Sequence, residues 1–176
     1  MNKKRILWIT QTAIFIALLV SLQAVTRPLG QFVTGSVVNL ILIIAVMTGG
    51  LWSGVATGAI SPVFAFLFGI GPAFFPVIPF IMVGNVILVV LWYLIGRLNI
   101  KGWLIPYVIA LVAGAGAKFL WLYLGVVQVA VPVFGFPAPM VAVFGVTQLI
   151  TAGIGGAVAI VILPMLRKAL KFTEHS

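Results

Sequence analysis

Acidic side chains are all but missing from this sequence: Glu174, near the C-terminus, is the only one among 176 residues. Cysteine is missing altogether, and the single histidine is His175. Without Cys there are no disulfides and no thiol chemistry. With no Asp, no Cys and a lone tail His, metal-assisted hydrolysis, an aspartyl dyad and a Ser-His pair are excluded. A Ser-Lys dyad of Lys118 with Ser36 is arithmetically possible, but the residues as a whole read as non-enzymatic. No Gly-x-x-x-x-Gly-Lys-Ser/Thr segment occurs, so any energy from ATP must come through another chain. Charge itself is scarce, at 6% of residues against 64% hydrophobic. A soluble domain of this size needs a charged shell, and this chain has none to offer. Its solvent is therefore the lipid bilayer.

The charges that remain are basic, giving a net +9. Lys3, Lys4 and Arg5 precede the first apolar run, Arg97 and Lys101 flank a short polar break, and Arg167, Lys168 and Lys171 follow the last run. Only Arg27 and Lys118 fall elsewhere. Basic clusters at the ends of hydrophobic segments mark cytoplasmic loops. Nucleic acid is not an expected partner, because no polar surface surrounds the basic residues. The first apolar run has no small-residue cleavage site and is followed by others, so it reads as an anchor rather than a signal peptide.

A helix needs about 20 apolar residues to cross a hydrocarbon core of about 30 Å. The sequence predicts an all-α integral membrane domain of six transmembrane helices over 6–25, 37–49, 51–70, 73–96, 103–125 and 145–166. As one helix, Val37–Ile70 would be about 51 Å long, too long for one crossing, and Gly49-Gly50 divides it. Parity agrees. With the N-terminus inside, the 97–101 loop and the C-terminal tail also land inside, which places eight of the ten basic residues in the cytoplasm. Two stretches read as irregular. Gln31–Ser36 joins the first two spans, and Val126–Phe144 carries Pro132, Pro137 and Pro139, which break helices. Broken backbone at membrane depth needs protein or water to satisfy it. Both are expected at the outer side, forming a lid over a cavity.

Small residues recur at intervals of four: Gly50, Gly54 and Gly58 on the third span, Ala110 and Gly114 on the fifth, Ala152 with Gly156 and Gly155 with Ala159 on the sixth. Such spacing lets helices approach closely. On the first span Thr10, Ala13, Ala17 and Ala24 share a face, with an Ala-x-x-x-Ala step at Ala13 and Ala17. With its basic N-terminus, its third helix Gly-Leu-Trp-Ser-Gly-Val-Ala-Thr-Gly-Ala-Ile-Ser-Pro and its final Gly-Gly-Ala-Val-Ala-Ile-Val-Ile-Leu-Pro before basic residues, the chain resembles the substrate-binding S component of an energy-coupling-factor (ECF) vitamin transporter over nearly its whole length. The resemblance implies a six-helix S-component fold with both termini cytoplasmic, in a prokaryotic cell membrane. It implies capture of a water-soluble vitamin or related micronutrient at the outer face, and ATP-driven uptake with a coupling transmembrane subunit and two ABC ATPases. Ala13 and Ala17 would contact the coupling subunit. No cofactor is implied. The chain departs from the family at Ser61-Pro62, where many members carry an acidic residue. A small self-sufficient carrier or channel is the alternative, although no clear internal repeat of the kind carriers use is visible.

Polar groups within lipid are costly unless partnered, which makes each a candidate for function. Lys118 lies 17 residues after Lys101, about 26 Å along a helix and so near the outer surface. It either snorkels to headgroups or faces the cavity and holds an anionic or carbonyl group of the substrate. Trp121, three residues on, either shares that face and stacks on a ring or anchors at the interface. Asn85 sits mid-span on the fourth helix, and Asn39 and Gln148 lie near the outer ends of the second and sixth. Gln31, Thr34, Ser36 and Gln128 lie in or beside the expected lid. Arg27 reads as a solvated loop charge.

Overall fold

The computed structural model describes residues 3–100 and 102–174, and among these there is no β-strand. Lys101 and His175 lie outside the described residues. The helices are α1 (Lys3–Thr26), α2 (Gln31–Gly49), α3 (Leu51–Leu67), α4 (Ile78–Ile95), α5 (Ile105–Leu122), α6 (Val131–Phe134), α7 (Pro139–Phe144) and α8 (Val146–Glu174). Single 3-10 turns at Arg27–Leu29 and Phe75–Val77 lead out of α1 and into α4, and a π-helical segment, Tyr123–Ala130, joins α5 to α6. Five helical stretches are long and apolar enough to cross a membrane: Arg5–Leu29, Gln31–Gly49, Phe75–Ile95, Ile105–Phe134 and Pro139–Ala169. Leu51–Leu67 is apolar but shorter, at 17 residues. The chain thus has the helices of a multi-pass membrane protein.

Two expectations from the sequence are corrected. Gln31–Ser36 is not a loop but the first turns of α2. Its Gly, Ser and Thr residues are weak helix formers in water, yet apolar surroundings force the backbone to bond to itself. Val126–Phe144 is likewise mostly helical, with irregular backbone confined to the residues between α6 and α7. Pro132 and Pro139 sit in the first turns of α6 and α7. An N–H is least needed there. The wide π turns of Tyr123–Ala130 precede Pro132, where a tight α-helical ladder would clash with its ring. Gly135 then ends α6 in the left-handed conformation, φ 63°.

Glycines set how closely the helices pack. A Cβ on Gly54 of α3 would lie 2.5 Å from the Val46 Cβ on α2, and one on Gly155 of α8 would lie 2.6 Å from the Ser36 carbonyl oxygen of α2. The core around these contacts joins Leu42, Ile43 and Val46 of α2 with Leu88, Val89 and Trp92 of α4 and Ala159 and Leu163 of α8. α1 lies at the periphery. Among its described side chains only Thr12 and Leu19 are buried, and Thr12 donates to the Ser53 hydroxyl of α3 at 3.1 Å.

Short connections join α1 to α5 in turn, while α5, the π segment and α6 form one continuous stretch, and the connections sort to two ends. One end gathers the turns at 27–30, 68–77 and 135–145, and the Arg27 guanidinium donates to the Gly69 carbonyl across the first two. The other end gathers Gly50, residues 96–100 and 102–104, the start of α1 and the last turns of α8. There Arg167 donates to the Tyr107 hydroxyl at 2.5 Å, and Arg97 lies over the Tyr93 ring. The described basic clusters therefore share one end of the bundle.

Candidate functional site

Among the described residues the one buried charged side chain is Lys118 on α5, only 3% exposed. Its ammonium donates to Asn39 Oδ1 on α2 at 2.6 Å and to Asn85 Oδ1 on α4 at 2.8 Å. Each amide is oriented by its own nitrogen. Asn39 Nδ2 donates to the Gly35 carbonyl at 2.9 Å and lies 3.5 Å from Thr151 Oγ1 of α8, while Asn85 Nδ2 donates to the Gly58 carbonyl of α3 at 3.2 Å. Because the amide N–H groups are committed elsewhere, both oxygens turn toward the lysine. Gly58 and Gly155 bring α3 and α8 close beside Asn85 and Asn39; a Cβ on either would meet the Asn Cβ at 3.2 and 2.9 Å respectively. Five helices thus converge on one ammonium.

That cluster forms the inner wall of a cavity of about 280 Å³ at the end of the bundle opposite the basic clusters. Gln23, Arg27, Gln31, Thr34 and Gln148 add polar groups, and Val38, Ile70, Ile81, Leu122, Met140, Val143 and Phe144 supply an apolar wall. Gln148 is fixed by donation to the Val143 carbonyl at 3.0 Å, and Thr151 donates to the Gln148 carbonyl at 3.3 Å. Thr34 is different. It is buried, and its hydroxyl has no hydrogen-bond partner. A buried hydroxyl without a partner is costly, on the order of 1–3 kcal/mol. Its hydrogen-bonding capacity is therefore unspent in a residue that lines the cavity. Both charges that line the cavity are positive, no acid occurs between residues 1 and 173, and hydrogen-bond donors are abundant. The cavity suits recognition of a small molecule with a polar, electron-rich end and an apolar body.

Six residues singled out from the sequence line this cavity: Lys118, Asn85, Asn39, Gln148, Gln31 and Thr34. Three others do not. Trp121 lies at the surface and donates its indole N–H to the Phe80 carbonyl at 2.9 Å, because the cavity side of that turn is taken by Leu122. Ser36 turns its hydroxyl back to the Phe32 carbonyl at 2.6 Å, satisfied by its own helix. Gln128 is exposed and donates to the Tyr123 hydroxyl at 2.8 Å. Lys118 does not snorkel; its partners hold it inward. Arg27 is an exposed charge in a turn, as its sequence context indicates, and it also lines the cavity and ties the 27–30 turn to Gly69. Gln23 of α1, Met140 and Phe144 also line the cavity without having drawn notice in the sequence. The one available signal for Gln23 is an amide placed about one turn inside the end of an apolar helix. Ala13 and Ala17 both face outward, as do Thr10 and Ala24. No family model, curated sequence or solved structure matches this chain.

Proposed function

We propose that this chain captures a water-soluble, vitamin-like micronutrient at the outer face of a prokaryotic cell membrane, as the S component of an ECF-type transporter. In this reading six helices cross the bilayer, with α3 as the short crossing, and both termini are cytoplasmic. The observation that carries it is the buried Lys118–Asn39–Asn85 cluster at the base of a cavity, opposite the basic clusters. By the positive-inside rule the basic end is cytoplasmic, which turns the cavity outward. A polar cluster of this depth is expensive in lipid and is retained where it binds something.

Uptake follows from what the chain lacks as much as from what it has. It has no phosphate loop, so ATP enters through a coupling subunit and two ABC ATPases, whose work topples the loaded bundle and releases the cargo inside. The exposed Ala13–Ala17 face of α1 is the docking surface for the coupling subunit, since small outward side chains allow close helix contact in lipid. Ala13→Trp with Ala17→Trp is expected to abolish co-purification with the coupling subunit and ATPases while leaving a monodisperse, folded chain, because neither residue is buried. Co-purification of the double variant at the wild-type level would refute this face. Transport by the purified chain alone in liposomes, without ATP, would make it a self-sufficient carrier.

A further inference from the structure

We infer that the captured molecule is an organic monoanion, a carboxylate on a compact apolar body, whose carboxylate is bound by Lys118 and Thr34 with Arg27 nearby. This inference rests on the capture reading above and specifies its substrate class.

The first reason is charge. The Lys118 ammonium has three N–H donors and gives two to neutral amide oxygens. Lys118 lines the cavity, so its remaining donor serves a molecule held there. No carboxylate side chain exists anywhere between residues 1 and 173 to balance the charge. A buried charge without a counter-charge is strongly unfavourable, and an incoming anion relieves that cost, whereas a neutral ligand leaves it and a cation adds to it. The second reason is independent of the first. Thr34 lines the same cavity, and its buried hydroxyl has no partner. A carboxylate has two oxygens and about four acceptor sites, enough to take the lysine and threonine donors together. Arg27, whose guanidinium has five donors and spends one on Gly69, supplies a second cation at the cavity.

The number of buried cations argues against a phosphate. At the depth of Lys118 a dianion would meet a single buried ammonium, because Arg27 and the α2 N-terminus at Gly30 and Gln31, which also line the cavity, are exposed. A single negative charge matches that one buried ammonium. The rest of the wall, including Ile81, Leu122, Met140 and Phe144, is apolar and calls for a hydrophobic body. The volume of about 280 Å³ sits near the low end of ligand cavities, so that body is small.

The test uses the purified full-length chain and small-molecule yeast extract divided by anion exchange into a retained and an unretained fraction. Molecules bound from each fraction are identified by mass spectrometry, and their affinities are measured by calorimetry. The bound species is expected to come from the retained fraction and to be a monocarboxylate. Lys118→Gln keeps a donor for the amide oxygens but removes the charge, and should weaken binding roughly 10- to 100-fold. Thr34→Val should weaken it by up to about 10-fold with no loss of thermal stability, because it removes an unpartnered buried hydroxyl. This second variant carries the test if Lys118→Gln fails to fold. A neutral or cationic molecule bound from the unretained fraction, or a phosphate ester from the retained one, would overturn the monocarboxylate while leaving capture intact. Unchanged affinity in Thr34→Val, or in a folded Lys118→Gln, would overturn the placement. Nothing bound from either fraction would overturn both the substrate class and the capture reading.

Discussion

Gly155→Ala is expected to destabilise the bundle by about 1–3 kcal/mol, while Gly153→Ala, two residues earlier on α8, should be neutral or stabilising by up to about 1 kcal/mol. The added methyl is the same, and only its surroundings differ. At Gly155 it would lie 2.6 Å from the Ser36 carbonyl oxygen and 2.9 Å from the Asn39 Cβ and the Leu40 nitrogen, backbone contacts that cannot rotate away. At Gly153 it would meet nothing within 4 Å. The clash forces α8 off α2 beside the residue that holds Lys118, so Gly155→Ala should also weaken ligand binding. Thermal unfolding in detergent of the two variants against wild type checks the sign; equal behaviour would mean that the α2–α8 crossing is looser than the glycines indicate.

The second large effect is at Asn39. Asn39→Leu removes one of two acceptors from a buried ammonium and is expected to cost roughly 2–3 kcal/mol, above what the lost side-chain packing alone would give. Adding Lys118→Met to it should recover part of that loss, because the charge that lacked a partner is gone. The double variant is then more stable than the sum of the two single changes predicts, with a coupling of about 1–3 kcal/mol. Additive losses would show that Lys118 and Asn39 do not depend on one another. Asn85, the other acceptor, offers the same cycle with Lys118 across α4 and α5.

The polar heart of the site was legible in the sequence because contrast made it so. In helices with hardly any polar atoms, Lys118, Asn39 and Asn85 stand out, and the cost of burying them implies partners. Which partners they chose was not legible, since three distant segments of chain must fold before one amide oxygen can face one ammonium. Arg27 escaped for the opposite reason. A charge in a turn at the edge of an apolar run is inexpensive, so its sequence context carried no sign that it reaches the cavity. Trp121 misled because a spacing of three places residues on neighbouring faces of a helix rather than on one line, and Leu122 holds the cavity side. The helix boundaries failed where intrinsic propensity was weighed too heavily. Gln31–Ser36 and Val126–Phe144 have glycines and prolines that would end helices in water, but in apolar surroundings the backbone has no other partner than itself. Pro132 and Pro139 settle into first turns, Pro137 falls in the irregular residues between α6 and α7, and the π segment widens the helix ahead of Pro132.

The capture role depends on which way the cavity opens. The natural chain contains no cysteine, so single cysteines report accessibility without background. Gln31→Cys places a thiol at the cavity, on an exposed residue, and Leu98→Cys places one on an exposed residue between α4 and α5 at the opposite end. A membrane-impermeant maleimide applied to intact cells is expected to label Gln31→Cys and to leave Leu98→Cys untouched until the membrane is permeabilised. If Leu98→Cys were labelled in intact cells and Gln31→Cys only after permeabilisation, the cavity would face the cytoplasm and capture from outside would be refuted.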